Sequence, residues 1–511
     1  MRETETTENG NLNKTTKIMA VIMVIMFVGK ALGLLRNMQI ADMFGTESIE
    51  AGAYTAMSAI PRNFLDAAFA SAISASFIPI FNKYLKLSKE TAFRLADTFI
   101  TLILIASFAL TLIGVLFAPQ IINVLYGFDS ETHILAVPLL RITLFTVVLS
   151  GAAFSFVGVL QSLGGFYAPA AMSIMSNGMI IGYNFFLIER FGLTGLAIVF
   201  VIGWGAQVLV QIVPLIRRGY VYRPSLNFSD GGLREIGALA LPVMVSTWVV
   251  PVNIQVNQRV AETFDNGAAV VDHAYNLYAV ISGLFVLAIA NVIFPKLSRE
   301  ADDSVAFADT LRETILGMLF LLIPIMFGLF LLSEPLVSLM LERGEFDGLS
   351  TIRTSSALKF YALGIPGFGL FTILSRGFYA AKNGKIPLLT ALAAIAINLV
   401  LSIIFANYMG VGGVALASAA SVNFTGLVML LAMTRRLNGL ITVKAIVNVA
   451  KIFISGVLMA FVVYFVRGFV AERSVFLILL VSTGAGVSVY FITSIVLGLP
   501  QVKIIKALRR K

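Results

Sequence analysis

Residues 18–44 read IMAVIMVIMFVGKALGLLRNMQIADMF. The run is long enough to cross a bilayer core, which takes about 20 predominantly apolar residues. It nevertheless holds two cations, Lys30 and Arg36. A charge at membrane depth costs about 2.5 to 3.5 kcal/mol even on lenient insertion scales, so such residues face a bundle interior or a watery cavity. The stretch therefore reads as the opening helix of a polytopic membrane protein that lines a basic interior site. The natural guest of a basic site is an anion.

Composition extends that reading to the whole chain. The 511 residues are 58% hydrophobic and 13% charged, against about 45–50% and about 25% in soluble domains. There is no cysteine, which excludes disulfides, thiolate chemistry and cysteine metal sites. The two histidines, His133 and His273, fall near predicted segment ends, so no metal and no cofactor is expected. The first 16 residues are polar and hold Glu3, Glu5 and Glu8, unlike the basic start and short apolar core of a cleavable signal peptide. The first hydrophobic segment is expected to be retained.

Reading for membrane-length apolar stretches predicts an all-α protein with fourteen transmembrane helices. They fall near 18–44, 53–82, 96–125, 134–161, 169–188, 193–216, 236–263, 271–294, 307–333, 351–379, 386–407, 411–434, 446–466 and 474–497. The connecting loops alternate in charge. One set carries Lys83, Lys86, Lys89 and Arg94, then Arg217, Arg218, Arg223 and Arg234, Lys296 and Arg299, Lys382 and Lys385, Arg435, Arg436 and Lys444, and the basic C-terminus from Lys503. The other carries Glu47 and Glu50, Asp129 and Glu131, Asp265 and Asp272, and Glu342, Glu345 and Asp347. The positive-inside rule makes the first set cytoplasmic, places both termini inside and requires an even helix count. The net charge of +10 then reflects topology and attraction to anionic lipid, and is no argument for nucleic-acid binding.

The chain also repeats itself. Phe77-Ile78-Pro79 returns as Ile293-Phe294-Pro295, Pro119 as Pro335, Phe128-Asp129 as Phe346-Asp347 and Pro169 as Pro387. Gly192-Leu193-Thr194-Gly195 returns as Gly410-Val411-Gly412-Gly413, Arg217-Arg218 as Arg435-Arg436, and Ala41-Asp42-Met43-Phe44 as Ala261-Glu262-Thr263-Phe264. An offset spanning six helices preserves topology, so the halves are parallel repeats, a plan used by transporters that bind substrate between lobes and alternate access. The expected organisation is a polar cytoplasmic N-terminus (1–16), an N-lobe of six helices (17–216), an inter-lobe loop (217–232), a C-lobe of six (233–436), a C-terminal helix pair (437–500) and a basic tail (501–511).

With these residues in view, a family resemblance emerges. Gly29-Lys30-Ala31-Leu32-Gly33-Leu34-Leu35-Arg36-Asn37, Met43-Phe44-Gly45, Ile60-Pro61 and Phe69-Ala70-Ser71-Ala72 running to Phe77-Ile78-Pro79 resemble the N-terminal signature of the MurJ (MviN) lipid II flippases. Arg343-Gly344-Glu345-Phe346-Asp347 and Gly377-Phe378-Tyr379 with Lys382 and Pro387 resemble that family's second-lobe motifs. The resemblance implies a member of the multidrug/oligosaccharidyl-lipid/polysaccharide (MOP) exporter superfamily, not an enzyme, whose C-terminal helix pair forms a groove for a polyprenyl tail. The implied substrate is lipid II, a disaccharide-pentapeptide on undecaprenyl diphosphate, moved from the inner to the outer leaflet of the bacterial plasma membrane. Bilayer lipids and peptidoglycan-synthesis proteins are the implied partners, with a monomer as the functional unit.

The chemistry of the residues fits that substrate. A diphosphate entering a region of low dielectric needs fixed cations to compensate its charge, and Lys30 and Arg36 supply two. On an ideal helix Lys30, Gly33 and Asn37 share one face while Arg36 lies roughly 120° away; joint action requires a bend, for which Gly29 and Gly33 are the expected hinge. The competing reading is that both cations snorkel or pair with polar neighbours.

Departures from the family pattern sharpen the expectation. The family's second-helix arginine falls on Leu65, beside Asp66, its eighth-helix arginine falls on Asn276, and an acidic residue before its second helix falls on Gly52. Arg62, one turn before Leu65, and Arg259, on the seventh helix, are candidate replacements, against local pairing with Asp66 and Glu262 respectively. Arg141, Lys359 and Arg376 lie within reach of helix ends, which favours structural roles. Pro251 interrupts a seventh helix made polar by Asn253, Gln255, Asn257 and Gln258, as a gating or cavity-lining segment requires. A kinked structural helix is the alternative. In some relatives a sodium ion is held by acids and amides on the seventh, eleventh and twelfth helices; here Asn398 is followed by Ser402 rather than a carboxylate, so sodium coupling is not expected.

Three functions compete: a lipid II flippase, a flippase for another polyprenyl-diphosphate glycan, and a cation-extruding drug antiporter of the same superfamily. The antiporter needs acidic residues in its cavity, for which only Asp42 and Asp66 offer themselves near the first two helices. A membrane-embedded transferase needs a catalytic cluster on a sizeable loop, and no Walker motif points to nucleotide-driven transport.

Overall fold

The structure, a computed structural model, describes residues 2–46, 48–62, 69, 73–227, 230–264, 267–300, 303–381 and 383–502. Leu65, Asp66, Asp265, Lys382 and the basic tail from Lys503 lie outside the described residues. The chain is helical throughout, with no strand among the described residues. Its helices are α1 (Arg2–Phe44), α2 (Ile49–Pro61), α3 (Ile78–Leu85), α4 (Lys89–Leu116), α5 (Ala118–Leu125), α6 (Ser130–Thr143), α7 (Thr146–Ser162), α8 (Tyr167–Phe186) and α9 (Ile188–Arg217). They continue with α10 (Gly231–Ala261), α11 (Gly267–Arg299), α12 (Ser304–Leu341), α13 (Gly348–Ala362), α14 (Ile365–Ala380), α15 (Lys385–Thr434), α16 (Val443–Phe469) and α17 (Val475–Val496).

Eight described segments are long and apolar enough to cross a membrane, and nine when α13 and α14, bent by 45°, count as one span. One of the eight is α15, whose 50 residues are divided by non-helical backbone at Gly410 into arms that each exceed the length of about 20 residues a crossing needs. The fourteen predicted helices are consistent with this pattern. Two compact units result, one formed by Met1–Ile40 with Ser48–Pro251 and the other by Ala41–Glu47 with Val252–Lys511. The chain passes between them inside α1 and, at Pro251, inside α10.

Local conformation follows the sequence repeat. Gly192 (φ 55°, ψ −154°) and Gly410 (φ 56°, ψ −139°) break the helix in the same way at repeat-related positions. Gly127 and Gly344, with φ 69° and 53°, recur just before the two Phe-Asp pairs. A left-handed φ costs a residue with a Cβ roughly 1–2 kcal/mol, which explains why glycine stands at each copy. Asp129 caps α6 by accepting from the Thr132 and Glu131 backbone, and Asp347 caps α13 by accepting from the Ser350 N–H. Hydrogen bonds from Thr132 and Ser350 hold these two carboxyls below the usual carboxylate range. Their contribution is therefore present at neutral pH and fades as pH falls through the lowered values.

Prolines set the contacts between helices. A proline has no N–H, so the carbonyl four residues earlier loses its helical donor; in a bilayer that carbonyl must find another. Pro61 leaves the Met57 carbonyl, which accepts from Thr143 Oγ1 at 2.8 Å. Pro119 leaves that of Val115, which accepts from Arg141 Nε at 3.2 Å. Pro324 leaves that of Phe320, which accepts from Tyr490 Oη at 2.7 Å, and Pro335 leaves that of Leu331, which accepts from Arg467 Nη1 at 2.6 Å. The last two bonds tie the C-terminal pair, α16 and α17, to α12. Around them Phe320, Leu332, Ile452, Met459, Val463 and Tyr490 form a buried apolar core.

Elsewhere the helices meet through small residues. The backbone of Gly367 in α14 lies so near α15 that a Cβ would come within 2.5 Å of Asn423 Cα, the close approach on which bundles in lipid depend. Tyr490→Phe keeps the ring but strands the Phe320 carbonyl, which costs about 1–3 kcal/mol. Thermal denaturation of the detergent-solubilised protein should show a lower Tm for Tyr490→Phe, and an unchanged Tm would mean the bond does not pin α17.

Candidate functional site

Within the first compact unit the predicted basic residues of α1 are organised by α8. Gly29 and Gly33, one turn apart, face Ser173 and Asn177: a Cβ at Gly29 would collide with Ser173 Oγ, and one at Gly33 would lie 3.3 Å from Asn177 Nδ2. Asn177 is 7% exposed and bridges two turns of α1. Its Nδ2 donates to the Gly29 carbonyl at 3.1 Å, and its Oδ1 accepts from Arg36 Nη1 at 3.1 Å. Asn37 Oδ1 accepts from Arg36 Nη2 at 3.0 Å and Nε at 3.3 Å. The guanidinium is thus half-buried and oriented by amide oxygens. Lys30 is exposed and makes no hydrogen bond or ion pair to a described residue. In this conformation α1 is a single helix, and its two glycines serve close contact with α8.

The remaining predicted residues are placed as follows. Arg62 ends α2 and is half-buried, in the first unit. Arg259 is exposed on α10 in the second, and Pro251 is buried where the chain leaves the first unit. Asn276 donates from Nδ2 to Asp272 Oδ2 at 2.8 Å, and Gln258 Nε2 donates to Asp272 Oδ1 at 3.2 Å. Asn276 therefore serves a carboxylate on its own helix. Gly52 is buried in α2.

The polar half of α10 joins a neutral network in the second unit. Asn398, fully buried on α15, donates from Nδ2 to Asn253 Oδ1 at 2.5 Å and to Asn257 Oδ1 at 2.7 Å. Asn257 Nδ2 in turn donates to Tyr361 Oη at 3.2 Å, and Ser402 Oγ reaches Asn398 Oδ1 at 3.4 Å. These are amides and hydroxyls, groups that satisfy one another without charge. Among the described residues no cluster of three or more His, Asp or Glu is placed to hold a metal ion.

Two motif stretches far apart in sequence interlock in the same unit. Glu345 N donates to the Asp42 carbonyl at 2.7 Å, and Thr46 Oγ1 donates to Ser350 Oγ at 2.8 Å. A Cβ on Gly45 would meet the Glu345 carbonyl, and one on Gly344 the Asp42 carbonyl. Both glycines also have left-handed φ. The end of α1 and the α12–α13 loop therefore contact backbone to backbone.

Sequence reasoning missed Asn177 and the Asp272–Gln258 bond. Asn177 had a signal, an amide in the middle of an apolar segment, where a polar side chain bonds a neighbouring helix. Asp272 and Asn276 had the i, i+4 spacing of a helical pair.

Comparison with known proteins agrees with this architecture. The family model "Lipid II flippase MurJ" matches residues 40–484. A "Probable lipid II flippase MurJ" of Vibrio cholerae is 30% identical over 429 residues, covering 78% of this chain and 79% of its own. A "Lipid II flippase MurJ" of Thermosipho africanus is 29% identical over 446 residues, covering 86% and 88%. Among solved structures, a lipid II flippase MurJ in an inward closed conformation superposes with a TM-score of 0.79 at 28% identity, over 93% of this chain and 98% of its own. An inward-facing multidrug MATE transporter of the MOP superfamily reaches 0.69 at 16% identity, over 82% and 98%, a likeness of fold alone. With a family match over most of its length and the basic, glycine-lined first helix in place, this multi-pass membrane protein belongs to the MurJ lipid II flippase family.

Proposed function

We propose that the protein carries lipid II from the inner to the outer leaflet of the bacterial plasma membrane by alternating access, with Lys30 and Arg36 as the cations that meet its diphosphate. The observation that carries the residue assignment is the state of these side chains. Lys30 is exposed with no partner among the described residues, and Arg36 is oriented by the oxygens of Asn37 and Asn177. The oxygens of Asn37 and Asn177 orient the guanidinium for charge-assisted bonds to phosphate oxygens. Asn37 is then a positioning residue. Arg62 and Arg259 supplement the pair where the family's other arginines are replaced by Leu65 and Asn276. Gly29, Gly33 and Pro251 are the points at which α1 and α10 bend during transport.

In this reading residues 17–216 and 233–436 are the two lobes that rock, the loop 217–232 joins them on the cytoplasmic side, and 437–500 receives the polyprenyl tail. Both termini are cytoplasmic, and the protein is a monomeric transporter without enzymatic activity that works beside the peptidoglycan-synthesis machinery. A flippase for another polyprenyl-diphosphate glycan is the second reading. It is favoured by Asn276, whose amide is engaged by Asp272 and brings no positive charge to that position.

In a strain depleted of its native lipid II flippase, the wild-type protein should restore growth. Lys30→Ala and Arg36→Ala should fail with expression intact, and Lys30→Arg should be milder. Loss of the Asn177 contact in Asn177→Ala should slow flipping about tenfold, as expected for one bond to a charged group. Full complementation by both Lys30→Ala and Arg36→Ala would remove them from the site, whereas failure of the wild type would favour the second reading.

Topology is tested separately, because the chain has no native cysteine to interfere. A cysteine at Asp129 should react with an impermeant thiol reagent in intact cells and one at Arg217 should not. The reverse pattern would invert the orientation.

A further inference from the structure

Two cations at repeat-related positions, Arg141 and Lys359, are differently engaged. Arg141 in the first lobe donates to the carbonyl of Val115, which Pro119 deprives of its helical donor. Lys359 stands 218 residues after Arg141, as Phe346 does after Phe128, and Pro335 repeats Pro119. By analogy Lys359 should serve the Leu331 carbonyl. That carbonyl is instead taken by Arg467 Nη1 at 2.6 Å, from α16 of the C-terminal pair, while Arg467 Nη2 pairs with Glu334 at 2.5 Å.

Relieved of that duty, Lys359 points its ammonium over aromatic rings, 4.8 Å from the centre of Phe330 and 6.0 Å from that of Phe360. No carboxylate lies within ion-pairing distance among the described residues. A ring face attracts a cation without neutralising it. Lys359 lines a cleft of about 330 Å³ between α12, α13 and α16, together with the hydroxyls of Ser333, Ser355 and Ser356. The one acid in its wall, Glu334, is engaged by Arg467. Through Leu331, Tyr464 and Arg467 the cleft continues into a second one lined by Phe465 and Phe469. Tyr464, Phe465 and Phe469 are 66%, 47% and 87% exposed, a strip of aromatic surface on a membrane helix.

We propose that this cleft binds an anionic glycerophospholipid, with Lys359 holding the phosphate and the Tyr464–Phe469 strip of α16 receiving an acyl chain. The net charge of the cleft selects an anion, and the aromatic strip contiguous with it selects an amphiphile over a free phosphate ester. A lipid seated there would touch α12, α13 and α16 at once, next to the Arg467 bond that fastens the C-terminal pair.

The test uses the full-length protein and native mass spectrometry with dioleoylphosphatidylglycerol, dioleoylphosphatidylcholine and sn-glycerol 3-phosphate as probes. Wild type should retain one more phosphatidylglycerol than Lys359→Gln, with affinity for that lipid about tenfold higher. Lys359→Arg should restore it, and Arg141→Gln should not lose it. Matching thermal stabilities in phosphatidylcholine would confirm that Lys359→Gln is folded, and the Arg variant reads the charge independently if it is not. Equal phosphatidylglycerol retention by wild type and Lys359→Gln, or equal loss by Lys359→Gln and Lys359→Arg, would overturn the proposal. So would phosphatidylcholine bound as tightly as phosphatidylglycerol, or glycerol phosphate displacing the lipid at equal concentration.

Discussion

The constraint on which this structure depends is that no backbone carbonyl can be left without a donor inside a bilayer. Helices satisfy it alone until a proline interrupts them, and at four such interruptions a side chain from another helix supplies the missing donor. Thr143, Arg141, Tyr490 and Arg467 meet that obligation at Met57, Val115, Phe320 and Leu331. Hydrophobic burial does not choose between partners in lipid, because the tails are as apolar as the side chains. The proline-freed carbonyls do choose, since each accepts one donor at one place. The C-terminal pair shows the effect most clearly: two of its polar attachments to α12 land on such carbonyls, at Phe320 and Leu331, beside the ion pair of Arg467 with Glu334.

The same constraint lets duplicated halves diverge. A repeat begins with the same prolines and glycines, and the glycine conformations at 192 and 410 or at 127 and 344 have stayed alike. Donors are less tightly held, because any side chain that reaches the orphan carbonyl restores the balance. With Arg467 serving the Leu331 carbonyl, Lys359 is not engaged there and its ammonium lies over the rings of Phe330 and Phe360. A duplicated fold thereby gains a cation it can use for something else, at no cost to the backbone.

Much of the fold was legible in the sequence, and the reason is that its signals are local. Apolar length and the recurrence of Pro119, Phe128-Asp129 and Gly192 in the second half are properties of neighbouring residues or of a fixed offset. The residues flanking Gly410 read as two helices, and the non-helical backbone at Gly410 divides α15 at that point. The candidate site was legible only in its charges. Lys30 and Arg36 announce themselves by cost, whereas Asn177 lies about 140 residues from Arg36 and is one amide among several in apolar segments. Periodicity says which face a residue occupies and nothing about which distant helix meets that face. Orphaned carbonyls could have been enumerated from proline positions, but not the donors that answer them. Asp272 was counted as loop charge because it sits near a segment end; its carboxylate instead accepts from Gln258 and Asn276.

The motif from Gly29 to Asn37 then reads as one mechanical statement. Glycine at 29 and 33 strips a face of α1 so that α8 can approach until Asn177 touches backbone. With its Nδ2 committed to the Gly29 carbonyl, the amide oxygen of Asn177 has one direction left, toward Arg36. A side chain at Gly29 would push Ser173 and Asn177 outward together, and the guanidinium two turns away would lose its anchor without being altered itself. Lys30 stands about 100° round the helix from Gly29, off the contact with α8, and stays exposed. The two amide oxygens fix the direction in which the Arg36 guanidinium is presented. A guanidinium oriented in this way suits the proposed encounter with a diphosphate, because its donors are already aimed before the phosphate oxygens arrive.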